Sequence, residues 1–359
     1  MLLSTSTTTL YILFFCVSLV FSILINRLFL KFSKNLGMRH VDESMVRWET
    51  KSKPAFGGIS FYIIFLLSIS IYSIFSEDKT IFHKQQFLGI LLASSLGFIV
   101  GLADDAYNTR PYLKFSAQLI CALILIFSGT YITLFDNVYL NYALTILWVV
   151  GIMNSINMLD NMDAITSLVS VFIIISALFV AYFIGKVDSV NFMILIGVLS
   201  SILGFLFYNW HPSKIYMGDT GSQFLGALLS AVGITYFWNT PFNPGLLSPS
   251  KQLLLTAIIF IIPIVDTTTV VINRLAKGKS PFVGGRDHTT HHLSYLGLSD
   301  RKVALLLGSI AFISFLICIY IVTSNNWTSL SVIIFGAYFL TIFGLLYSTT
   351  LKNKPEQKS

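Results

Sequence analysis

Five aspartates carry most of the chemistry this sequence can do. Asp104 and Asp105 are neighbours, Asp160 and Asp163 are three residues apart, and Asp219 follows Gly218 in the run Met217-Gly218-Asp219-Thr220-Gly221. All five border long apolar stretches. A carboxylate beside hydrocarbon is costly, so acids at such depth face a cavity, a cation or a partner. Adjacent residues on a helix project about 100° apart, so Asp104 and Asp105 cannot line one face. At a helix end they can flank a cation from two directions, or one can bind metal while the other accepts a proton. Mg2+ suits such a site, because it takes a few carboxylates and completes its shell with water and substrate phosphate oxygens. Lys114, later in the same loop, is placed to hold a phosphate.

The remaining polar clusters extend this chemistry. Asn154, Asn157, Asp160 and Asp163 recur every three residues in an apolar run. Residues at i and i+3 share a helix face, yet Asn154 and Asp163 would fall on opposite sides, so the helix ends or bends here. Such amides and carboxylates can read the edge of a base or the hydroxyls of a sugar; hydrogen bonds between helices are the plainer use. Asp219 precedes an apolar stretch, where a helix N-terminus offers N–H groups to an anion; capping by Asp219 or Thr220 is the plainer alternative. Asn209 and His211 open that same loop. Arg286, His288, His291 and His292 form the densest basic cluster, after the Gly284–Gly285 pair. Three histidines allow a zinc site, but HExxH and a nearby cysteine are absent. Capture of a phosphorylated sugar suits the basic, glycine-rich surroundings better. Asp266, inside the preceding apolar stretch, is a candidate internal partner for one of these cations. Lys53, Pro54, Gly57 and Gly58 begin the second stretch, where the glycine pair permits close approach of backbone.

The elements that must position these residues are membrane helices. Hydrophobic residues make up 55% of the 359 residues and charged ones 11%, with a mean hydropathy of +0.78. A water-soluble domain of this length is excluded. Apolar runs near the ~20 residues that cross hydrocarbon as helix occur at 10–30, 56–75, 86–103, 115–134, 142–158, 164–184, 191–208, 222–238, 252–272, 303–323 and 329–349. The expected fold is therefore an all-α integral membrane protein of about eleven transmembrane helices in one domain. Alternating sides puts all but Lys79, Lys84, Lys186 and Lys251 of the 23 lysines and arginines on one side. By the positive-inside rule that side is cytoplasmic, with the N-terminus periplasmic and the C-terminus cytoplasmic. The loops at 31–54, 104–114, 154–163, 209–222 and 273–302 then form one cytoplasmic site holding Asp104, Asp105, Asp160, Asp163 and Asp219. The net charge of +7 is mostly a topology signal, with no nucleic-acid partner implied. Met1 to Leu10 carry no Lys or Arg, so the first stretch is expected to be retained rather than cleaved. Cys16, Cys121 and Cys318 all lie within apolar stretches and read as packing residues.

The segments GLADDAYN, NSINMLDNMDAI, MGDTGS and GRDHTTHH, in that order, resemble the polyprenyl-phosphate N-acetylhexosamine-1-phosphate transferases (glycosyltransferase family 4). That family includes enzymes that start O-antigen, lipopolysaccharide and teichoic acid linkage units, and the phospho-N-acetylmuramoyl-pentapeptide transferase. The resemblance covers nearly the whole chain. It implies a transferase of the bacterial cytoplasmic membrane that moves an N-acetylhexosamine-1-phosphate, GlcNAc-1-phosphate first among them, from a UDP-sugar to undecaprenyl phosphate and releases UMP. It implies Asp104, Asp105 and Asp219 as catalytic residues, Mg2+ on Asp219 and Asp105 (Mn2+ as a possible substitute), and substrate contacts from Lys53, Lys114, Asn157, Asp160, Asp163, Asn209, Arg286, His288, His291 and His292. Assembly as a homodimer stays open. Two departures stand out. Asn161 and Ala164 replace glycines common after the aspartates of the third segment, and the histidines read His-x-x-His-His rather than three in a row. The second departure points toward the simple-sugar branch of the family. The alternative from another class is a secondary transporter using these acids as ion sites, but transporters place such acids near the bilayer midplane, between repeats.

Overall fold

The computed structural model describes residues 5–33, 53–76, 80–241, 248–280 and 285–352. Most of the loop expected to be the first cytoplasmic one, residues 34–52, and residues 281–284 of the histidine loop lie outside these. The chain runs through α1 (Thr5–Ser33), α2 (Gly57–Phe75), α3 (Gln85–Tyr107), α4 (Pro111–Phe127), α5 (Val138–Leu159), α6 (Ile165–Phe183), α7 (Val190–Asn209), α8 (Gly218–Gly233), α9 (Pro249–Ile259), α10 (Ile261–Ala276), α11 (Thr289–Tyr295), α12 (Asp300–Thr323) and α13 (Ser329–Lys352). Among the described residues there is no strand. Each apolar stretch expected to cross the membrane contains helix. Among the described residues eight helices are long and apolar enough to span it: α1, α2, α3, α5, α6, α7, α12 and α13. These are the properties of a multi-pass membrane protein, in which only helices or closed barrels satisfy the backbone in lipid.

One expected span is corrected. Residues 252–272 do not form one straight helix: α9 and α10 meet at Phe260 with a bend of 79°. Pro263 supplies the reason. It has no N–H for the carbonyl of Ile259, and its ring crowds that carbonyl. The stretch 222–238 also departs from uniform α-helix, because α8 continues into a π-helical turn over Ile234–Trp238.

At the centre stands α8, against which α2, α3 and α5 pack. Every residue from Thr220 to Gly233 is buried, as expected of a helix that is apolar or small on all sides. Small residues also set its depth. A Cβ on Gly101 of α3 would collide with the backbone of Asp219 and Thr220, and one on Gly58 of α2 would collide with the backbone of Gly221. Backbone therefore meets backbone at the first turn of α8, so Asp219 lies beside the ends of α2 and α3.

A tight turn returns the chain from α3 to α4. Asn108 adopts the left-handed conformation (φ 50°) and its N–H bonds to the carbonyl of Asp104 at 2.8 Å. Asparagine tolerates that conformation better than most residues. Pro111 then starts α4, the position where a missing N–H costs nothing. The result brings Lys114 back over Asp104.

Candidate active site

Lys114, on the first turn of α4, forks between two carboxylates. Its Nζ is 2.6 Å from Asp104 Oδ2 and 3.0 Å from Asp219 Oδ2. The other oxygen of Asp104 accepts the Thr109 N–H at 2.9 Å and the Thr109 hydroxyl. Asp105 points elsewhere, as helix geometry requires. Its Oδ1 accepts the Asp219 N–H at 3.1 Å, and its Oδ2 accepts the Thr220 N–H at 2.8 Å and the Thr220 hydroxyl at 2.6 Å. Those N–H groups belong to the first turn of α8 and have no partner within the helix, so Asp105 caps α8 from the neighbouring helix. Asn157, in the last turn of α5, donates to Asp219 Oδ1 and to the Ser222 hydroxyl, the latter at 2.8 Å. The structure thus joins Asp104, Asp105, Lys114, Asn157 and Asp219 into one network across α3, α4, α5 and α8.

The electrostatics of this network are lopsided. Asp160, just past α5, is held well above the usual carboxylate range by burial, with the charges of Asp219, Asp105 and Asp163 adding. Among the described residues its carboxyl accepts no hydrogen bond and meets no cation. Asp219 is also pushed up, first by burial and then by its contact with Asp104, against the pull of Lys114. One lysine facing so many acids leaves the cleft short of positive charge. Among the described residues no three His, Cys, Asp or Glu side chains converge to cage a metal ion. A hard cation that keeps water and substrate oxygens in its shell needs no such cage, and Asp219 beside the unpartnered Asp160 fits it.

A second corner forms around Asp163, which is buried. Its carboxylate accepts the Ser213 N–H at 2.9 Å and the Ser213 hydroxyl at 2.6 Å, and lies 3.1 Å from His211 Nδ1. Lys53 is 3.8 Å away, donates to the Ser213 hydroxyl at 3.1 Å, and sits 5.0 Å from the centre of the Tyr216 ring. Asn209 stands behind this corner. Its Oδ1 accepts the Ala164 N–H and the Ser167 hydroxyl, both at 3.1 Å, and its Nδ2 donates to the Ile215 carbonyl at 3.0 Å. Ala164 has a φ of 65°, the left-handed region in which a glycine would be unstrained. The Asn209 bond to its N–H helps hold it there.

The third corner is the histidine loop. Asp266 of α10 lies 2.8 Å from His288 Nδ1 through Oδ2, while its Oδ1 accepts the Thr289 N–H at 2.8 Å and the Thr289 hydroxyl. The His288 and His291 rings are 5.4 Å apart and edge to face, and His292 meets Tyr295 in the same way at 5.6 Å. Burial drives His291 down to about 3, with the neighbouring His288 and Arg286 adding, so its ring is neutral near pH 7. Arg274 grips Asp287 with two bonds of 2.8 and 2.7 Å. Although burial works the other way, that grip holds the Asp287 carboxyl below its usual range. The Arg286 carbonyl accepts from the Tyr295 hydroxyl at 3.2 Å. Asn161 ties this corner to the first two: its Nδ2 donates to the Met158 carbonyl and its Oδ1 accepts the Thr290 hydroxyl, each at 2.8 Å.

Beneath the charged layer lies a layer of amides. Gln118, Asn154 and Gln223 stand one turn deeper than Lys114, Asn157 and Asp219 on the same three helices. Gln118 and Asn154 bond reciprocally at 2.8 and 3.2 Å, and Gln118 also donates to Gln223 at 3.3 Å. Thr109, Ser213 and Tyr216 are contributors that the sequence pattern did not single out; Thr220 stood out only as a capping residue, Asn161 only as a departure from glycine, and His211 only as part of its loop. They are small or common polar residues, and apart from Thr109 their partners at the site are distant in sequence, as with Asp163 and Ser213.

The model of glycosyl transferase family 4 matches residues 87–237. A protein of Bacillus subtilis (strain 168), named a probable undecaprenyl-phosphate N-acetylglucosaminyl 1-phosphate transferase, is 30% identical over 301 residues, covering 81% of this chain and 80% of its own. A decaprenyl-phosphate N-acetylglucosaminephosphotransferase of Mycobacterium leprae is 28% identical, covering 72% of each chain. A phospho-N-acetylmuramoyl-pentapeptide-transferase of Streptococcus agalactiae is 32% identical over a shorter reach, 57% of this chain and 67% of its own.

Proposed function

The chain belongs to glycosyl transferase family 4, and we propose that within it the protein transfers GlcNAc-1-phosphate, or a close N-acetylhexosamine-1-phosphate, from a UDP-sugar to undecaprenyl phosphate. A phosphate oxygen of the lipid attacks the β-phosphorus of the donor, the bond to the bridging oxygen breaks, and UMP leaves. The product is undecaprenyl-diphospho-sugar, the first membrane intermediate of a cell-envelope polysaccharide. Two observations favour a simple sugar over the pentapeptide donor: the His-x-x-His-His pattern, and the Bacillus subtilis relative, whose name carries an N-acetylglucosaminyl phosphate and which is 30% identical over 81% of this chain.

The observation that carries the proposal is the Lys114 fork at the N-terminus of α8, with Asp160 unpartnered beside it. Phosphoryl transfer asks for charge to be neutralised on the diphosphate and for the nucleophile to be held in line. Mg2+, held by Asp219 with Asp105 or Asp160 nearby, supplies that neutralisation when bound. Lys114 adds a mobile positive charge that leaves its carboxylates for a phosphate oxygen once the acids are otherwise compensated. Asp104, released from Lys114, accepts a proton from the lipid phosphate where that phosphate is still monoanionic (second pKa about 6, as for phosphoserine). Asn157 orients Asp219, and Asp105 fixes the helix end on which Asp219 rides. The nucleotide belongs at the Asp163 corner, with Lys53 and Tyr216, and the sugar phosphate at the corner of Arg286, His288, His291 and His292.

Membrane embedding follows from the substrates. The acceptor is an isoprenoid in the bilayer and the donor is soluble, so the site belongs at the surface where they meet. With the N-terminus periplasmic and the C-terminus cytoplasmic, that surface is the cytoplasmic face of the bacterial inner membrane. Purified protein given labelled UDP-GlcNAc, undecaprenyl phosphate and Mg2+ is expected to move label into the organic phase. Transfer from UDP-N-acetylmuramoyl-pentapeptide alone would overturn the donor assignment, and transfer from neither would overturn the reaction.

A further inference from the structure

Asp266 is a carboxylate buried in the membrane-embedded part of the fold, at 1% exposure, and the reaction as described above does not use it. Both of its oxygens are directed at the histidine corner. Oδ1 anchors α11 by accepting the N–H and hydroxyl of Thr289, whereas Oδ2 meets only the ring of His288, at 2.8 Å from Nδ1. The two tasks therefore fall on separate atoms. His288 Nδ1 is occupied by this contact, and its Nε2 has no hydrogen bond to protein among the described residues. The other charged or titratable groups around this ring come from its own loop: His291, with its ring 5.4 Å away, Arg286 and Asp287. Of these, Asp287 is gripped by Arg274 and His291 is neutral. Asp266 is thus the group that decides which ring nitrogen of His288 carries hydrogen. An imidazole whose second nitrogen is unconstrained can rotate or exchange tautomers, and a carboxylate on Nδ1–H removes that freedom.

We propose that Asp266 is a positioning residue for the transfer, acting through His288: it keeps hydrogen on Nδ1 and thereby presents Nε2, in one orientation and one tautomer, to the phosphorylated sugar of the donor. The inference rests on the transferase reading of this site. No covalent step involves Asp266. Replacing it with asparagine keeps the size and can keep Oδ1 on Thr289, but it sets an NH2 group against Nδ1. The imidazole must then carry its hydrogen on Nε2, the reverse of the arrangement the site is built around. The corresponding change beneath a catalytic histidine elsewhere lowers turnover by roughly 10⁴-fold.

The test is a double-substitution cycle on the purified full-length protein, read as UMP release with UDP-GlcNAc, undecaprenyl phosphate and Mg2+. Asp266→Asn and His288→Asn should each lower kcat at least about 100-fold, and the double variant should be no worse than His288→Asn alone, because residues that act as a unit are not additive. Thr289→Val, which removes an α11 anchor without touching Oδ2, should lower the thermal midpoint while leaving kcat near that of the parent protein. Losses that multiply in the double variant would overturn the proposal, as would wild-type turnover in Asp266→Asn or a Thr289→Val loss as large as that of Asp266→Asn. Should Asp266→Asn not fold, ¹⁵N spectra of histidine-labelled parent protein decide: hydrogen on Nδ1 of His288 supports the inference and a bare Nδ1 overturns it. A parent protein that releases no UMP would sink the transferase reading, while the ¹⁵N result still reports on the Asp266–His288 contact.

Discussion

Gly101→Ala tests whether the position of Asp219 is set by backbone packing. A Cβ at residue 101 would lie 2.6 Å from the carbonyl carbon of Asp219 and 2.7 Å from Thr220 Cα, and closer still to the Asp219 carbonyl oxygen. Ordinary contact for such a carbon is 3.4–4 Å. All three neighbours are backbone, so no side chain can swing aside. The first turn of α8 must therefore retreat from α3 by about 1 Å, or α3 must tilt by as much. Overpacking of this kind costs on the order of 1–3 kcal/mol, which a protein of this size can absorb while remaining folded. The catalytic effect should be larger, because a shift of about 1 Å in a group that aligns a transfer reaction costs roughly 100-fold. The retreat also stretches the Asp105 bonds to the Asp219 and Thr220 N–H groups and the Lys114 bond to Asp219. UMP release by Gly101→Ala, with thermal unfolding followed on the same preparation, should show kcat reduced about 100-fold and the midpoint lowered by a few degrees. Full turnover in a normally folded variant would refute the reasoning.

Three further perturbations follow. Lys114→Met leaves Asp104 and Asp219 facing each other without a cation, a change of about 3–5 kcal/mol where such pairs are buried and less here because the lysine is partly exposed; turnover should fall at least 100-fold and should not recover at high donor concentration. His291→Gln reports on pH: burial lowers the histidine from 6.5 to about 3, so the unfolded chain takes up its proton first on acidification, and stability is lost as pH falls below about 6.5. Between pH 7 and 5 the parent protein should lose about 2 kcal/mol through this residue, and the thermal midpoint of His291→Gln should fall correspondingly less; equal losses would contradict the assignment. Ala164→Gly relieves a left-handed conformation that costs an alanine about 1 kcal/mol or more, so its midpoint should stay level or rise slightly, and a clear drop would show that the methyl packing outweighs the strain.

Much of the fold is legible because lipid demands a simple signal. A continuous apolar run needs no periodicity to be recognised, and the runs at 10–30, 56–75 and 191–208 stand as helices close to their expected bounds. The break between α9 and α10 is harder to foresee, since a proline such as Pro263 is tolerated inside membrane helices when neighbours satisfy the backbone. At the site, acids at apolar edges stand out because carboxylates are costly there, and Asp266 draws notice for the same reason. Their division of labour does not. That Asp104 meets Lys114 while Asp105 caps α8 depends on where a helix 114 residues away begins, as the Asp105–Asp219 bond records. Asn161 is similarly opaque: its departure from glycine is visible in sequence, but its link to Thr290 exists only once α11 is docked.

In the proposed reaction Asp219, at the head of α8, organises transfer of a sugar phosphate onto lipid phosphate. UMP release by purified protein with UDP-GlcNAc, undecaprenyl phosphate and Mg2+, run beside Asp219→Asn and beside EDTA, tests it most directly. Release should require the lipid, stop with EDTA and fall roughly 100- to 1,000-fold in Asp219→Asn, on the scale of losing a principal electrostatic contact in a transfer site. Undiminished release from a folded Asp219→Asn variant, or none from the parent protein with any UDP-hexosamine, would contradict it.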